Sequence, residues 1–292
     1  MSETAGVSTE VKADIKIVTS IGELSGILYG QPDKPVILAL HGWLDNAASF
    51  HLLAPLLEDY SVLALDLPGH GHSAWLGDGA SYLIWSYVPP ILEAIQNYSL
   101  LNEQPFYILG HSLGTGVAML VASVIPEKIK AYIALDALGP ITTPAHRAAA
   151  QLKQSLLAAP KTSSLYNSVS EALAVRMRAT ADVPEAALLQ IVERNLSKQG
   201  HRWQWSTDPN LRLPSIVRFT EEQLQSVMKT LTMPVLAIQA QQGMASTMFF
   251  EQRLEHIPNG SLAIIAGKHH FHLEAASVGK IAQRIKEFLT HD

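Results

Sequence analysis

Short apolar runs of strand length alternate along this chain with segments of helical spacing, and one long interval breaks the alternation. Residues 11–18 and 24–29 read as two early strands joined around Gly22. Val36–Leu40 and Ser61–Leu65 are nearly unbroken apolar runs, as expected of strands buried on both faces. Residues 106–109, 131–135, 235–239 and 262–266 continue the series. Helical spacing marks 46–57, 82–98, Leu113–Val124, 246–256 and 274–289, with Pro89-Pro90 expected to kink or split the second of these. A sheet fed by alternating helices is mostly parallel and carries helices on both faces, so the fold class is α/β.

The pattern changes from about residue 139. Segments 144–158, 164–180 and 184–198 read as three helices, with Pro144 and Pro184 suited to helix starts, and almost no strand is expected before residue 233. Strands then resume. The division that follows is a core domain from 1–138 and 231–292, interrupted by a helical cap at 139–230. No internal repeat or low-complexity tract is present.

The chain has 292 residues, 48% of them hydrophobic, enough for a sizeable core. Net charge is −5 with no basic stripe, so nucleic acid is not an expected partner. There is no cysteine, which excludes disulfides, thiol catalysis and zinc–thiolate sites and fits a reducing compartment. Met1 to Glu10 lacks the basic start and apolar run of a secretory signal. No apolar run approaches the roughly 18 residues needed for a membrane span. The expected location is cytoplasmic.

Gly110-His111-Ser112-Leu113-Gly114 lies between an expected strand and an expected helix. The Gly-x-Ser-x-Gly pattern alone is weak, since composition produces it in roughly one chain in ten of this length. On a strand–turn–helix it becomes a nucleophile elbow. The turn is tight enough to strain Ser112, and glycines on either side let strand and helix approach. The plainer alternative is a capping serine in an ordinary turn.

Acyl transfer places negative charge on a carbonyl oxygen, and two backbone N–H groups aimed there stabilise it. Leu113 offers one. The loop His41-Gly42-Trp43-Leu44-Asp45 offers the second, with the Trp43 N–H as the candidate; Trp43 also reads as a core aromatic.

A serine nucleophile needs a general base, expected on the loop after the last strand. That loop reads Gly267-Lys268-His269-His270-Phe271-His272-Leu273-Glu274. His269 comes soonest after the strand end, His270 competes with it, and His272 also suits packing or capping. His70, His72 and the 269–272 cluster are conceivable imidazole ligands. Without a His-Glu-x-x-His helix or any cysteine, neither a metal nor another cofactor is expected.

The orienting acid usually follows the strand at 235–239, but Ala240-Gln241-Gln242-Gly243-Met244 contains no carboxylate. Asp136 ends the apolar run at 131–135 and is the candidate; a loop-bonding or capping aspartate is the plainer alternative. Asp66 ends a strand that precedes the nucleophile and reads as a hydrogen-bonding residue of the Pro68-Gly69-His70-Gly71-His72-Ser73 turn. Glu251, Glu255 and Glu274 lie on expected helices and read as solvated charges.

His41-Gly42-Trp43-Leu44-Asp45-Asn46-Ala47-Ala48-Ser49-Phe50 resembles the oxyanion loop of the serine hydrolase-like proteins within the α/β-hydrolase superfamily. The stretches at 66–73 and 110–114 resemble that family too, as does Asp208-Pro209-Asn210-Leu211-Arg212-Leu213-Pro214-Ser215 with Arg218 and Thr220-Glu221-Glu222-Gln223. The resemblance runs from about residue 36 to 289. It implies an eight-stranded core, a helical cap over Ser112, and His269 as the base. The family likewise lacks an acid after its seventh strand, which makes Asp136 the natural choice. It supplies no substrate. Haloalkane dehalogenases and epoxide hydrolases are similar in architecture but use an aspartate nucleophile, which Ser112 argues against.

The expected activity is hydrolysis of a small to medium, partly apolar carboxylic ester or related acyl compound by Ser112, His269 and Asp136, with Trp43 and Leu113 holding the oxyanion. Acyl transfer, thioester hydrolysis and carbon–carbon bond hydrolysis use the same groups, and a non-catalytic binding protein could keep the same fold. Trp203, Trp205, Leu156, Leu157, Leu165, Met177 and Phe219 are candidates for the substrate pocket or for packing within the cap.

Overall fold

Pairing begins with a local hairpin. β1 (Lys12–Thr19) and β2 (Gly22–Tyr29) run antiparallel, closed by Thr19 opposite Gly22 at φ +117°. The computed structural model describes residues 12–160, 163–180 and 183–290, so the expectations placed on 1–10 and on residue 11 lie outside the described residues.

Six further strands build the main sheet: β3 (Val36–Leu40), β4 (Ser61–Leu65), β5 (Phe106–His111), β6 (Ile129–Leu135), and, after the insert, two more described below. β3 and β4 are buried along their whole length. Their alternate residues therefore feed both faces: Ile37 and Ala39 join one core cluster, Val36, Leu38 and Leu40 the other.

Between β3 and β4 the expected helix at 46–57 is instead two short 3-10 turns, Ala47–Phe50 and Ala54–Leu56. The Asn46 side chain caps the first by accepting from the Ala48 N–H, and a proline sits in the first turn of the second. The segment at 82–98 opens with a 3-10 turn, Ile84–Tyr87, and continues as α1 (Val88–Asn97). Pro89 and Pro90 lie in the first turn of α1, where N–H groups have no helical partner, so they start the helix rather than kink it. α2 (Ser99–Asn102) is a single turn, and α3 (Leu113–Val124) follows β5 directly.

The insert after β6 departs most from expectation. Its first helix, α4 (Ala148–Leu156), is preceded by a 3-10 turn. The segment at 164–180 is a short strand, β7 (Leu165–Tyr166), then α5 (Val169–Ala179), capped by the Ser168 side chain. The segment at 184–198 is α6 (Glu185–Arg194) followed by β8 (Leu196–Gln199), which turns at Gly200, φ +62°, into β9 (Arg202–Trp205). β7, β9 and β8 form a three-stranded antiparallel sheet, so the stretch before residue 233 is not helical throughout. Arg202 to Trp205 alternates polar and aromatic residues, a period of two that suits a strand. α7 (Glu221–Met228) then begins with a capping box made by Thr220 and Gln223.

β10 (Val235–Gln242), α8 (Thr247–Leu254), β11 (Gly260–Lys268) and α9 (Ala275–Leu289) complete the core. The eight-stranded order is β1-β2-β4-β3-β5-β6-β10-β11, and only β2 runs against the rest. α1, α3 and α8 cover one face; α9 and the 3-10 turns after β3 cover the other. The register aligns strand ends. Leu40 pairs with Leu65 and with Gly110, His111 with Leu135, and Leu135 with Ile238. The loops carrying Gly42, Asp66, Ser112, Asp136 and Gly243 therefore open on one edge of the sheet.

Candidate active site

Ser112 stands between the last residue of β5 and the first of α3, at φ +51° and ψ −116°. That region is costly for a residue with a side chain and persists only where its surroundings enforce it. Here two glycines enforce it. A Cβ at Gly110 would lie 2.5 Å from the Gly114 carbonyl carbon, and a Cβ at Gly114 would lie 2.0 Å from the Leu40 carbonyl oxygen. The hydroxyl is left beside the positive end of α3.

His269 follows β11 by one residue. Its Nε2 is 3.0 Å from the Ser112 Oγ, and its Nδ1 is 2.7 Å from the Asp136 Oδ2. A carboxylate only accepts, so the neutral ring donates from Nδ1 to Asp136 and accepts the serine proton at Nε2.

Asp136 is buried and follows β6 at φ +49°. Its carboxylate also accepts from the Ala240 N–H at 2.9 Å and the Met244 N–H at 3.2 Å. The end of β10 and the loop after it thus contribute one donor each to the acid, where the commoner arrangement would place the acid itself.

The other two histidines of the 269–272 stretch sit behind this chain of bonds. His272 is fully buried, with its Nε2 2.9 Å from the Ser49 Oγ. Burial, then the neighbouring His270, His269 and His51, hold its pKa well below the usual imidazole range. The His270 Nε2 is 3.8 Å from the Asp45 Oδ2, and its ring lies 5.0 Å from that of His269. Beneath them lies His111, whose ring centroid is 4.1 Å from that of His272 and 4.8 Å from that of His269. Burial first, then these imidazoles, push the His111 pKa far down. Its Nε2 is 2.9 Å from the backbone oxygen of His269. Nothing in the sequence pattern marks this contact, because it joins residues 158 positions apart.

The loop after β3 rests on the elbow. A Cβ at Gly42 would lie 3.3 Å from the Ser112 Cβ. Trp43, the next residue, is half exposed rather than a core aromatic, and its indole donates to the Leu211 carbonyl at 2.8 Å. Leu113 opens α3, so its N–H is one of the first four that helix geometry leaves without a helical partner.

Asp66 is fully buried and accepts from the Ala47 N–H, the His72 N–H and the Arg194 Nε–H. It fastens three segments and lies away from the His269 contact. Glu274 accepts from the Lys268 N–H at 2.9 Å. His70 is buried, bonded through Nδ1 to the Pro68 carbonyl, and pushed down to about 3 by burial, then by His41. Among the described residues, no three His, Asp or Glu side chains are grouped to hold a metal ion.

Of the candidate pocket residues, Trp205 borders a cavity of about 20 Å³ beside Leu44, Arg176 and Arg212. Its indole also donates to the Tyr166 hydroxyl, and Phe219 packs edge-on against Trp85. Met177 and Trp203 are partly buried against the core, whereas Leu156, Leu157 and Leu165 are exposed. Among the described residues no helix is long and apolar enough to cross a membrane.

A family model described as alpha/beta hydrolase fold matches residues 35–166. The chain is similar to a serine hydrolase-like protein of Dictyostelium discoideum, 28% identical over 272 residues, covering 87% of this chain and 74% of that one. It is similar to the crystal structure of a hypothetical protein from Pseudomonas aeruginosa PAO1, 33% identical with a TM-score of 0.85, covering 96% of this chain and 99% of that one. It also shares its fold with a thioesterase domain from the curacin biosynthetic pathway, 24% identical with a TM-score of 0.83, covering 94% of this chain and 99% of that one.

Proposed function

The chain belongs to the serine hydrolase-like family of the α/β-hydrolase superfamily, and we propose that it hydrolyses carboxylic esters or related acyl compounds through an acyl-enzyme on Ser112. The observation that carries this reading is the continuous chain from Ser112 through His269 to Asp136, at 3.0 and 2.7 Å. Ser112 attacks the acyl carbon while the His269 Nε2 takes its proton. Asp136 keeps the proton on Nδ1 and stabilises the imidazolium that forms. The Trp43 and Leu113 N–H groups receive the developing oxyanion, where one donor is typically worth about 3–4 kcal/mol. His269 then returns its proton to the leaving group, and water enters by the same route to release the acid. No step calls on a metal or an organic cofactor.

Residues 139–230 form the cap in this reading. The Trp43 indole bond to Leu211 ties it to the oxyanion loop, so the substrate lies between the sheet edge and the insert. The carboxylesterase-type reaction (EC 3.1.1) is the simplest that these groups support. A serine-directed fluorophosphonate probe tests it: the wild-type chain should label and turn over p-nitrophenyl esters, and Ser112→Ala should do neither. Full labelling of the Ser112→Ala variant would overturn the assignment.

A further inference from the structure

His111 occupies the variable position before the nucleophile. Its side chain is fully buried among other imidazoles, and packing alone does not explain a further polar ring there. One ring nitrogen is committed: Nε2 lies 2.9 Å from the His269 carbonyl oxygen. A carbonyl only accepts, so Nε2 carries the proton. The other nitrogen, Nδ1, is buried without a hydrogen-bond partner among the described residues and lies 2.9 Å from where a Cβ on Gly42 would stand. The ring is therefore neutral, protonated on Nε2 alone.

The consequence is a closed loop of contacts. Ser112 meets the His269 side chain at 3.0 Å, while the residue before Ser112 holds the His269 main chain at 2.9 Å. β5 and β11 are three strands apart in the sheet, so this loop depends on side chains for its position over Ser112. Resting on the reading of Ser112 and His269 as nucleophile and base, we propose that His111 is a positioning residue that fixes the His269 peptide, and so the base, against the nucleophile, by donating from Nε2 to the His269 carbonyl.

A neutral donor is the right choice for that place. His269 becomes cationic as Ser112 attacks, and a charged His111 with its ring 4.8 Å away would oppose that step. The His270 and His272 rings, at 5.3 and 4.1 Å from His111, and Gly42 against its Nδ1 keep the site closed to water.

The test uses three variants of the full chain. Glutamine can place an amide N–H near the position of the imidazole Nε2; asparagine is one carbon too short; leucine fills space without donating. His111→Gln should keep kcat within about threefold of wild type. His111→Asn and His111→Leu should lose kcat by roughly 10²-fold, the scale of a misplacement of about 1 Å, with KM little changed. Asparagine or leucine variants with wild-type kcat, or a glutamine variant as poor as leucine, would overturn the proposal. The 15N spectrum of wild-type protein, with the His111 signals assigned by their loss in His111→Gln or His111→Asn, supplies a reading independent of turnover. An Nε2–H tautomer is expected, and an Nδ1–H tautomer would refute the bond. A wild-type chain that fails to label with fluorophosphonate would sink the hydrolase reading, while the tautomer would still decide the contact.

Discussion

Gly243 has no room for a side chain, because the Asp136 carboxylate occupies that space: a Cβ on Gly243 would lie 2.0 Å from the Asp136 Oδ1. The two loops compete for one position beside His269. Gly243→Ala should therefore displace the acid and lower kcat by on the order of 10²-fold, with KM less affected. In an Asp136→Gly background the clash is gone, and Gly243→Asp should recover part of the lost turnover. A double variant no better than Asp136→Gly would show that the β10 loop cannot serve His269.

Asp136→Asn keeps the shape of the side chain but removes its charge. An amide that turns its N–H₂ toward His269 favours the wrong tautomer, so turnover should fall by roughly 10⁴-fold, the scale set by serine proteases. With the amide N–H₂ at the Oδ2 position the Ala240 N–H keeps its acceptor and the Met244 N–H loses one, so a cooperative melt should survive at reduced stability. Ester turnover above about a tenth of wild type would contradict the role given to Asp136.

The histidines of the 269–272 stretch should separate by assay. His269→Ala should abolish turnover while the chain stays folded. His272→Ala should act on stability, since it opens a cavity and leaves the Ser49 hydroxyl only its long contact with Asp45, at a cost of about 2–4 kcal/mol. An active His269→Ala alongside an inactive, folded His270→Ala would transfer the role of base to His270.

Four buried histidines predict acid sensitivity. Burial pushes His41 down to about 4 and His70 to about 3, and holds His111 and His272 far below their usual range. The unfolded chain protonates each near pH 6.5, and the folded chain does not, so stability is complete above that pH and is lost as pH falls. Each group contributes a slope of about 1.4 kcal/mol per pH unit between its two pKa values, which for His41 spans about 6.5 to about 4. Urea midpoints should be level from pH 8 to 7 and drop steeply below 6. A midpoint unchanged from pH 7 to pH 5 would refute the neutral state of this cluster.

Much of this arrangement is readable in the chain, for reasons local to particular residues. A serine between two glycines, just after a buried strand, leaves few alternatives for the turn. Asp136 stands out because it ends an apolar run while residues 240–244 carry no acid. What was not readable depends on distant partners. β8 and β9 are short and largely polar, and their pairing follows from the turn at Gly200 and from β7 beside them. Helical spacing at 46–57 was outweighed by the Asn46 cap and a proline. Pro89 and Pro90 looked like an interruption because the start of α1 is set by the turn at Ile84–Tyr87. The contact of His111 with the His269 carbonyl has no trace in spacing or composition.

Arg194 closes α6 and is nearly buried. Its Nε reaches both Asp66 oxygens at 3.0 Å, and its Nη1 reaches Asp14 in β1 at 2.7 Å. Asp66 in turn holds the loops after β3 and β4. The insert is thus wired into the charge balance of the core and is not an interchangeable module. A chimera that exchanges residues 139–230 for those of another α/β hydrolase must also bring a cation to this spot. Otherwise it buries an uncompensated carboxylate, a penalty of about 3–5 kcal/mol, beneath the loops that position Gly42 and Trp43. The same constraint reaches α5, where Arg176 pairs with the buried Asp45 of the loop after β3, so an exchanged insert has to restore two cations rather than one.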